Sequence, residues 1–125
     1  MSGKLENLKN QLRNAFNRFE EIMRAEKNDV TRDSAIQRFE FTYELAWKTL
    51  KAYLEEKGAG DLYLPKEVIR SAFQARIIDN DPKWLEMVDT RNKTSHIYNE
   101  EMADDVYRSL PQYLPLIKKL IAELA

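Results

Sequence analysis

Asp89-Thr90-Arg91-Asn92-Lys93-Thr94-Ser95-His96-Ile97-Tyr98 holds the only histidine of the chain, with an arginine five residues before it. On a helix turning about 100° per residue, with Arg91 at zero, Trp84 falls near ~20°, Val88 near ~60° and Leu85 near ~120°. That apolar sector should face a core. One and a half further turns bring Tyr98 near ~−20°, Ser95 near ~40°, Asn92 near ~100° and His96 near ~140°, into the same sector. Glu86, Thr90, Lys93 and Thr94 fall on the watered side. The inward face therefore turns from apolar to polar without changing direction. Burying Arg, Asn and His unpaired costs on the order of several kcal/mol. A helix that served only a core would continue with Leu or Val. A partner chain, a ligand or both should meet these groups.

Upstream, Asp81 is a good N-cap for this helix, with Pro82 in its first turn. Asp79, Asp81 and Glu86 lack the glycine turn and terminal Glu of a calcium loop, so they read as caps, not ligands. Pro65 opens a short third helix with Val68, Ile69, Ala72, Phe73 and Ile77 inward. Gly58-Ala59-Gly60-Asp61 has neither a preceding strand nor a following Lys-Ser/Thr, so it fails as a phosphate loop. Gly58 suits the left-handed stop of a second helix that ends near Lys57. That helix carries Ile36, Phe39, Tyr43, Ala46, Trp47, Leu50, Tyr53 and Leu54 at helical spacing. Its aromatics read as a core stripe, not a stacking platform, with Phe41 off the stripe as a second face for packing or dimer contact. Thr31 or Asp33 can cap it. The first helix, Lys4 to about Lys27, aligns Leu5, Leu8, Leu12, Ala15, Phe16, Phe19, Ile22 and Met23.

Downstream, the motif helix is predicted to end near Tyr98, with Asn99 as cap for the last helix. Val106, Leu110, Tyr113, Ile117, Leu120 and Leu124 mark the inner face there. Pro111 and Pro115 should bend or break it. No strand-like alternation appears. Short connections make neighbours antiparallel, so the expected fold is all-α: an up-and-down antiparallel helical bundle of four main helices plus a short one.

At 125 residues the chain is read as one domain, 1–125, able to bury its own core. Net charge is −1, which leaves no global basic field for long nucleic acid, so RNA or nucleotide binding would need a local site. The absence of cysteine excludes disulfides and thiolate metal sites and fits a reducing cytoplasm. Met1 to Phe16 alternates Lys, Glu, Asn and Arg with Leu, which predicts neither a signal peptide nor a membrane span.

A histidine, an arginine, an asparagine and a tyrosine within reach of one another suit phosphoryl chemistry on RNA. The ribose 2′-OH needs a base and the leaving 5′-oxygen an acid, and imidazole serves either role. Arginine can grip the non-bridging oxygens through two parallel hydrogen bonds. One His without a fixed carboxylate pair makes a poor ligand set, so neither metal nor cofactor is expected. A single histidine per chain leaves acid and base one short, and a two-fold dimer would supply the second. The other reading of Arg91 and His96 is a buried polar network that fixes dimer register.

Arg91-Asn92-x3-His96-x-Tyr98 resembles the signature of the HEPN superfamily. With Arg38-Phe-Glu-Phe-Thr-Tyr-Glu-Leu-Ala-Trp-Lys48, nearly the whole chain resembles its branch of nucleotidyltransferase substrate-binding proteins, related to the HepT toxins. The resemblance implies a homodimeric helical bundle whose partner is a small, separately encoded nucleotidyltransferase. It implies Arg91 and His96 as the cleavage pair of a metal-independent endoribonuclease in a cleft between protomers, within a toxin–antitoxin-like pair. Asn92 and Ser95 would bind substrate beside them. Tyr98 would be the residue that the partner modifies with adenylate. The alternative for this branch is a subunit that binds a substrate for the nucleotidyltransferase and cleaves nothing.

Overall fold

The computed structural model describes residues 3–125, so the first two residues of the Met1–Phe16 stretch lie outside it. Helix α1 (Gly3–Arg24) buries Leu5, Leu12, Phe16 and Phe19 and ends ahead of the expected Lys27. The cap of α2 (Asp29–Glu56) is Asn28, not Thr31 or Asp33. Asn28 Oδ1 accepts from the Thr31 amide at 2.9 Å, and Thr31 Oγ1 accepts from the Asn28 amide at 2.8 Å. Thr31 is thus the reciprocal half of a capping box.

Helix α2 ends in a paired closure. The Gly58 amide donates to Glu55 O and the Ala59 amide to Leu54 O, at 3.1 and 3.0 Å. Gly58 supplies the left-handed turn at φ +89°, where a side chain would be strained. The expected stop residue is therefore correct.

Helix α3 (Pro65–Gln74) begins at the proline, as expected. Leu64 before it has no side-chain acceptor to offer. Glu67 instead reaches back to the Leu64 and Tyr63 amides, at 2.9 and 3.1 Å. Helix α4 (Lys83–Thr94) starts where Asp81 Oδ1 accepts from the Lys83 amide at 2.9 Å. Helix α5 (Glu100–Ser109) is capped by Asn99, whose Oδ1 accepts from Met102 N at 2.8 Å. Pro111 falls in a 3-10 turn, Leu110–Tyr113, and Pro115 in the first turn of α6 (Leu114–Leu124). The last helix therefore breaks into α5 and α6. No strand occurs among the described residues.

The helices enclose one apolar core in which α1 lies along α2, α6 returns onto α1, and α3, α4 and α5 pack on α2. Phe39 of α2 stands at its centre, 6.0 Å from Phe19, 6.2 Å from Tyr43 and 5.7 Å from Tyr113, ring to ring. Such contacts exceed plain burial in worth. Tyr113 carries the contact on to the motif helix, because its hydroxyl meets Thr90 Oγ1 at 2.7 Å. Thr90 is buried, which corrects its expected place on the watered side. Met87 is buried as well. The inner face of α4 is thus rotated from the expected sector, toward Met87 and Thr90 and away from Asn92.

Candidate functional site

The motif helix ends sooner than its spacing predicted. α4 stops at Thr94, and Ser95 and His96 form a turn closed by Ser95 N to Asn92 O and His96 N to Lys93 O, at 3.3 and 2.9 Å. Thr94 Oγ1 also donates to Arg91 O at 2.7 Å, which satisfies a carbonyl that another helical turn would have used. Ile97 and Tyr98 then run to the extended Asn99 cap. Two strong local devices meet here, so the continuous helix to Tyr98 does not form. His96 and Tyr98 sit on the turn instead of an inward helical face. Within the chain Asn92, Ser95, His96 and Tyr98 are all exposed, Tyr98 to 82 %.

Arg91 points the other way, into the crevice between α4 and α2. Its side chain is 25 % exposed and faces Glu40 Oε2 at 3.6 Å and Glu44 Oε1 at 3.9 Å. Nη1 donates to Thr94 Oγ1 at 3.0 Å and Ser95 Oγ at 3.1 Å. Nε is buried and has no hydrogen-bond partner among the described residues. Glu44 is steadied by the Trp47 indole N–H at 3.3 Å. The Tyr43 phenol borders the same crevice. Burial pushes its pKa up, Glu44 adds to the rise, and Arg91 opposes it.

Arg32 supplies the contrast. It is 4 % exposed and its Nη1 meets Glu100 at 2.6 Å and Asp104 at 3.3 Å, while Nε meets Asp33 at 2.9 Å. Those carboxylates hold its pKa above the ordinary arginine value. Arg32 is a buried structural guanidinium, held by several carboxylates, that pins the start of α5 just after the motif turn. Arg91 is loosely paired and partly exposed. Charge-assisted partners remain available to it.

The structure therefore brings Arg91 and Ser95 into contact. It sets His96 on the α5 side, where its ring has no hydrogen-bond partner among the described residues and lines a groove with Ile97, Met102 and Val106. Arg91 and His96 share no hydrogen bond. Sequence reasoning missed Glu40, Glu44 and Trp47, although all three lie in the quoted Arg38–Lys48 run. The available signal was two acids four residues apart bordering an aromatic stripe, which places both on one helical face. Among the described residues no three His, Asp or Glu side chains cluster to hold a metal ion, and no helix is long and apolar enough to cross a membrane.

Comparison with known proteins gives the same outline. The chain is 37 % identical over 84 residues to the probable ribonuclease HepT of Haemophilus influenzae, an alignment covering 64 % of this chain and 58 % of that protein. The chain thus matches somewhat over half the length of that curated relative. A solved structure from Thermus thermophilus is 39 % identical and superposes with a TM-score of 0.83, over 90 % of this chain and 98 % of that one. Another, from Haemophilus influenzae, is described as revealing the fold of a substrate binding domain of a nucleotidyltransferase. It is 30 % identical, with a TM-score of 0.81 over 93 % and 98 % of the two chains. The model of the family described as nucleotidyltransferase substrate binding protein like matches residues 6–125, and the chain belongs to that family.

Proposed function

We propose that this chain is the HEPN-type subunit of a two-gene, toxin–antitoxin-like pair with a minimal nucleotidyltransferase. It works in the cytoplasm as a homodimer and as a metal-independent endoribonuclease. The contrast between Arg32 and Arg91 carries the reading: one guanidinium is spent on the fold, and the other is a quarter exposed and only loosely paired with Glu40 and Glu44. Arg91 faces Glu40 and Glu44 of α2, whereas His96 lines the groove toward α5 and shares no hydrogen bond with it, and a second copy would bring a second histidine to the phosphate that an arginine holds. Arg91 grips the non-bridging oxygens, and Asn92 and Ser95 contact the same strand. One His96 takes the 2′-OH proton. The 2′-oxygen bonds to phosphorus, the bond to the 5′-oxygen breaks, and the partner's histidine protonates that leaving oxygen. Glu40 and Glu44 keep Arg91 extended until RNA phosphate replaces them.

Tyr98 stands exposed on the motif turn. Its oxygen can bond to the α-phosphorus of ATP on the nucleotidyltransferase, with pyrophosphate leaving. The attached adenylate is an anion that can occupy the arginine and silence cleavage without a change of fold. The second reading, a binding subunit that cleaves nothing, is favoured by the chain's near-neutral charge of −1.

The test is RNA cleavage by the purified protein in EDTA. Wild type should cut, whereas Arg91→Ala and His96→Ala should not, with folding stability unchanged within about 0.5 kcal/mol or improved. Cleavage lost in EDTA and restored by magnesium would refute the mechanism. No cleavage under any condition would leave the binding subunit.

A further inference from the structure

We infer that the cavity between the α3–α4 connection and α6 binds a small organic carboxylate with an apolar body. The cavity encloses about 570 Å³, within the range of small-ligand sites. It shares no lining residue with the His96 groove or the Arg91 crevice. The inference therefore goes beyond the ribonuclease reading and holds whether or not RNA is cut.

Arg76 carries it. Among the described residues it is the one residue other than glycine with a positive φ, at +60°. Gly58 makes the matching closure of α2 without the steric cost that an arginine meets there. Strained residues of this kind gather at ligand sites. The Arg76 side chain lines the cavity and makes no ion pair among the described residues. Lys83, at the start of α4, lines it as well and is equally unpaired. The lining carboxylates are engaged elsewhere. Asp79 is bound to Lys119, Glu123 stands one helical turn after that lysine, and Asp81 Oδ1 accepts the Lys83 amide. The uncommitted charge is positive, which suits an anion.

Trp84 gives a second, independent sign. It is 4 % exposed, it lines the cavity, and its indole N–H has no hydrogen-bond partner among the described residues. Indole nitrogen can only donate, and a donor on so buried a side chain calls for an acceptor. The sealed and unpaired side-chain nitrogen among the described residues is that of Arg91 alone. The Trp84 N–H therefore keeps an opening, and the cavity is the opening that Trp84 lines. A carboxylate has oxygens enough for the cations and the indole N–H together. Ile77, Pro115 and Leu116 supply apolar wall for the body attached to it.

The two tryptophans make the test direct. Labelling with nitrogen-15 gives one indole N–H resonance for each, assigned by Trp47→Phe. Phenylacetate should move the Trp84 resonance and leave that of Trp47 in place. Phenylacetamide, which lacks the charge, and acetate, which lacks the body, should each need at least about tenfold higher concentration. Arg76→Gly should weaken phenylacetate by at least about tenfold while the protein stays folded and no less stable. A purely structural arginine would show the reverse. An equal response to phenylacetate and its amide would overturn the inference, as would an equal response to acetate, which would mean an adventitious ion only. A Trp84 resonance that never moves, or binding unchanged in Arg76→Gly, would overturn it too.

Discussion

Arg76 occupies φ +60° at the end of α3, in the same paired closure that Gly58 makes at the end of α2. Arg76 N donates to Phe73 O at 3.1 Å and Ile77 N to Ala72 O at 3.0 Å. A left-handed arginine carries a cost of about 1–2 kcal/mol that glycine does not, partly offset by the greater freedom glycine has when unfolded. Arg76→Gly should therefore stabilise the protein by about 1 kcal/mol, read as a higher urea midpoint at unchanged slope. The buried pair of Thr90 and Tyr113 should respond oppositely. Thr90→Val strands the Tyr113 hydroxyl and should cost about 1–3 kcal/mol, whereas removing both hydroxyls costs less. Thr90 also shows why the site was only partly legible in the sequence. A threonine is compatible with either face of a helix, and what buries this one is a hydroxyl 23 residues away. Arg91, His96 and Tyr98 could be picked out by residue type and spacing. That Arg91 faces Glu40 and Glu44 depends on how α4 sits against α2, which no local pattern encodes.

The helices themselves were more legible. Asn99, Gly58, Pro65 and Pro111 each act where local chemistry demands, and the apolar steps of α1 and α2 mark their buried faces. The motif helix was overextended because helical periodicity persists in the letters after Thr94 while the Ser95–His96 turn and the Asn99 cap interrupt the backbone. Leu50 of α2 and Ile117 of α6 are both fully buried, so Leu50→Ala and Ile117→Ala should each destabilise by about 2–5 kcal/mol. Losses under about 0.5 kcal/mol would mean the stripes do not form the core. Acid should loosen the element ends. The Lys27 hydrogen bond holds the Asp104 carboxyl below its ordinary value, with Arg32 adding to it, and the Leu64 and Tyr63 amides do the same for Glu67. A carboxyl whose folded pKa is depressed stabilises the fold above its unfolded pKa. That stability is lost as pH falls through the folded value, so the loss should come below about pH 4. Asp104→Asn should flatten this part of the stability–pH curve measured by denaturation.

For the whole molecule, the decisive feature is that Arg91 turns to the α2 carboxylates while His96 lines the groove toward α5. Phe41, 48 % exposed on α2, lies one residue past Glu40 and three before Glu44, and so supplies apolar surface beside the arginine crevice. The bundle supports the turn that carries Tyr98, yet it leaves that side chain to solvent. Tyr98→Phe keeps the ring and removes the acceptor oxygen, so the variant should stay folded and oligomeric. It should gain no adenylate from ATP and the nucleotidyltransferase, by intact-mass spectrometry. An equal gain on wild type and variant would place the modification elsewhere. The central claim is that one chain holds only half of the chemistry. Light scattering at micromolar concentration tests it most directly. The expected particle has twice the mass of the 14.8 kDa chain. A particle of a single chain's mass would contradict it.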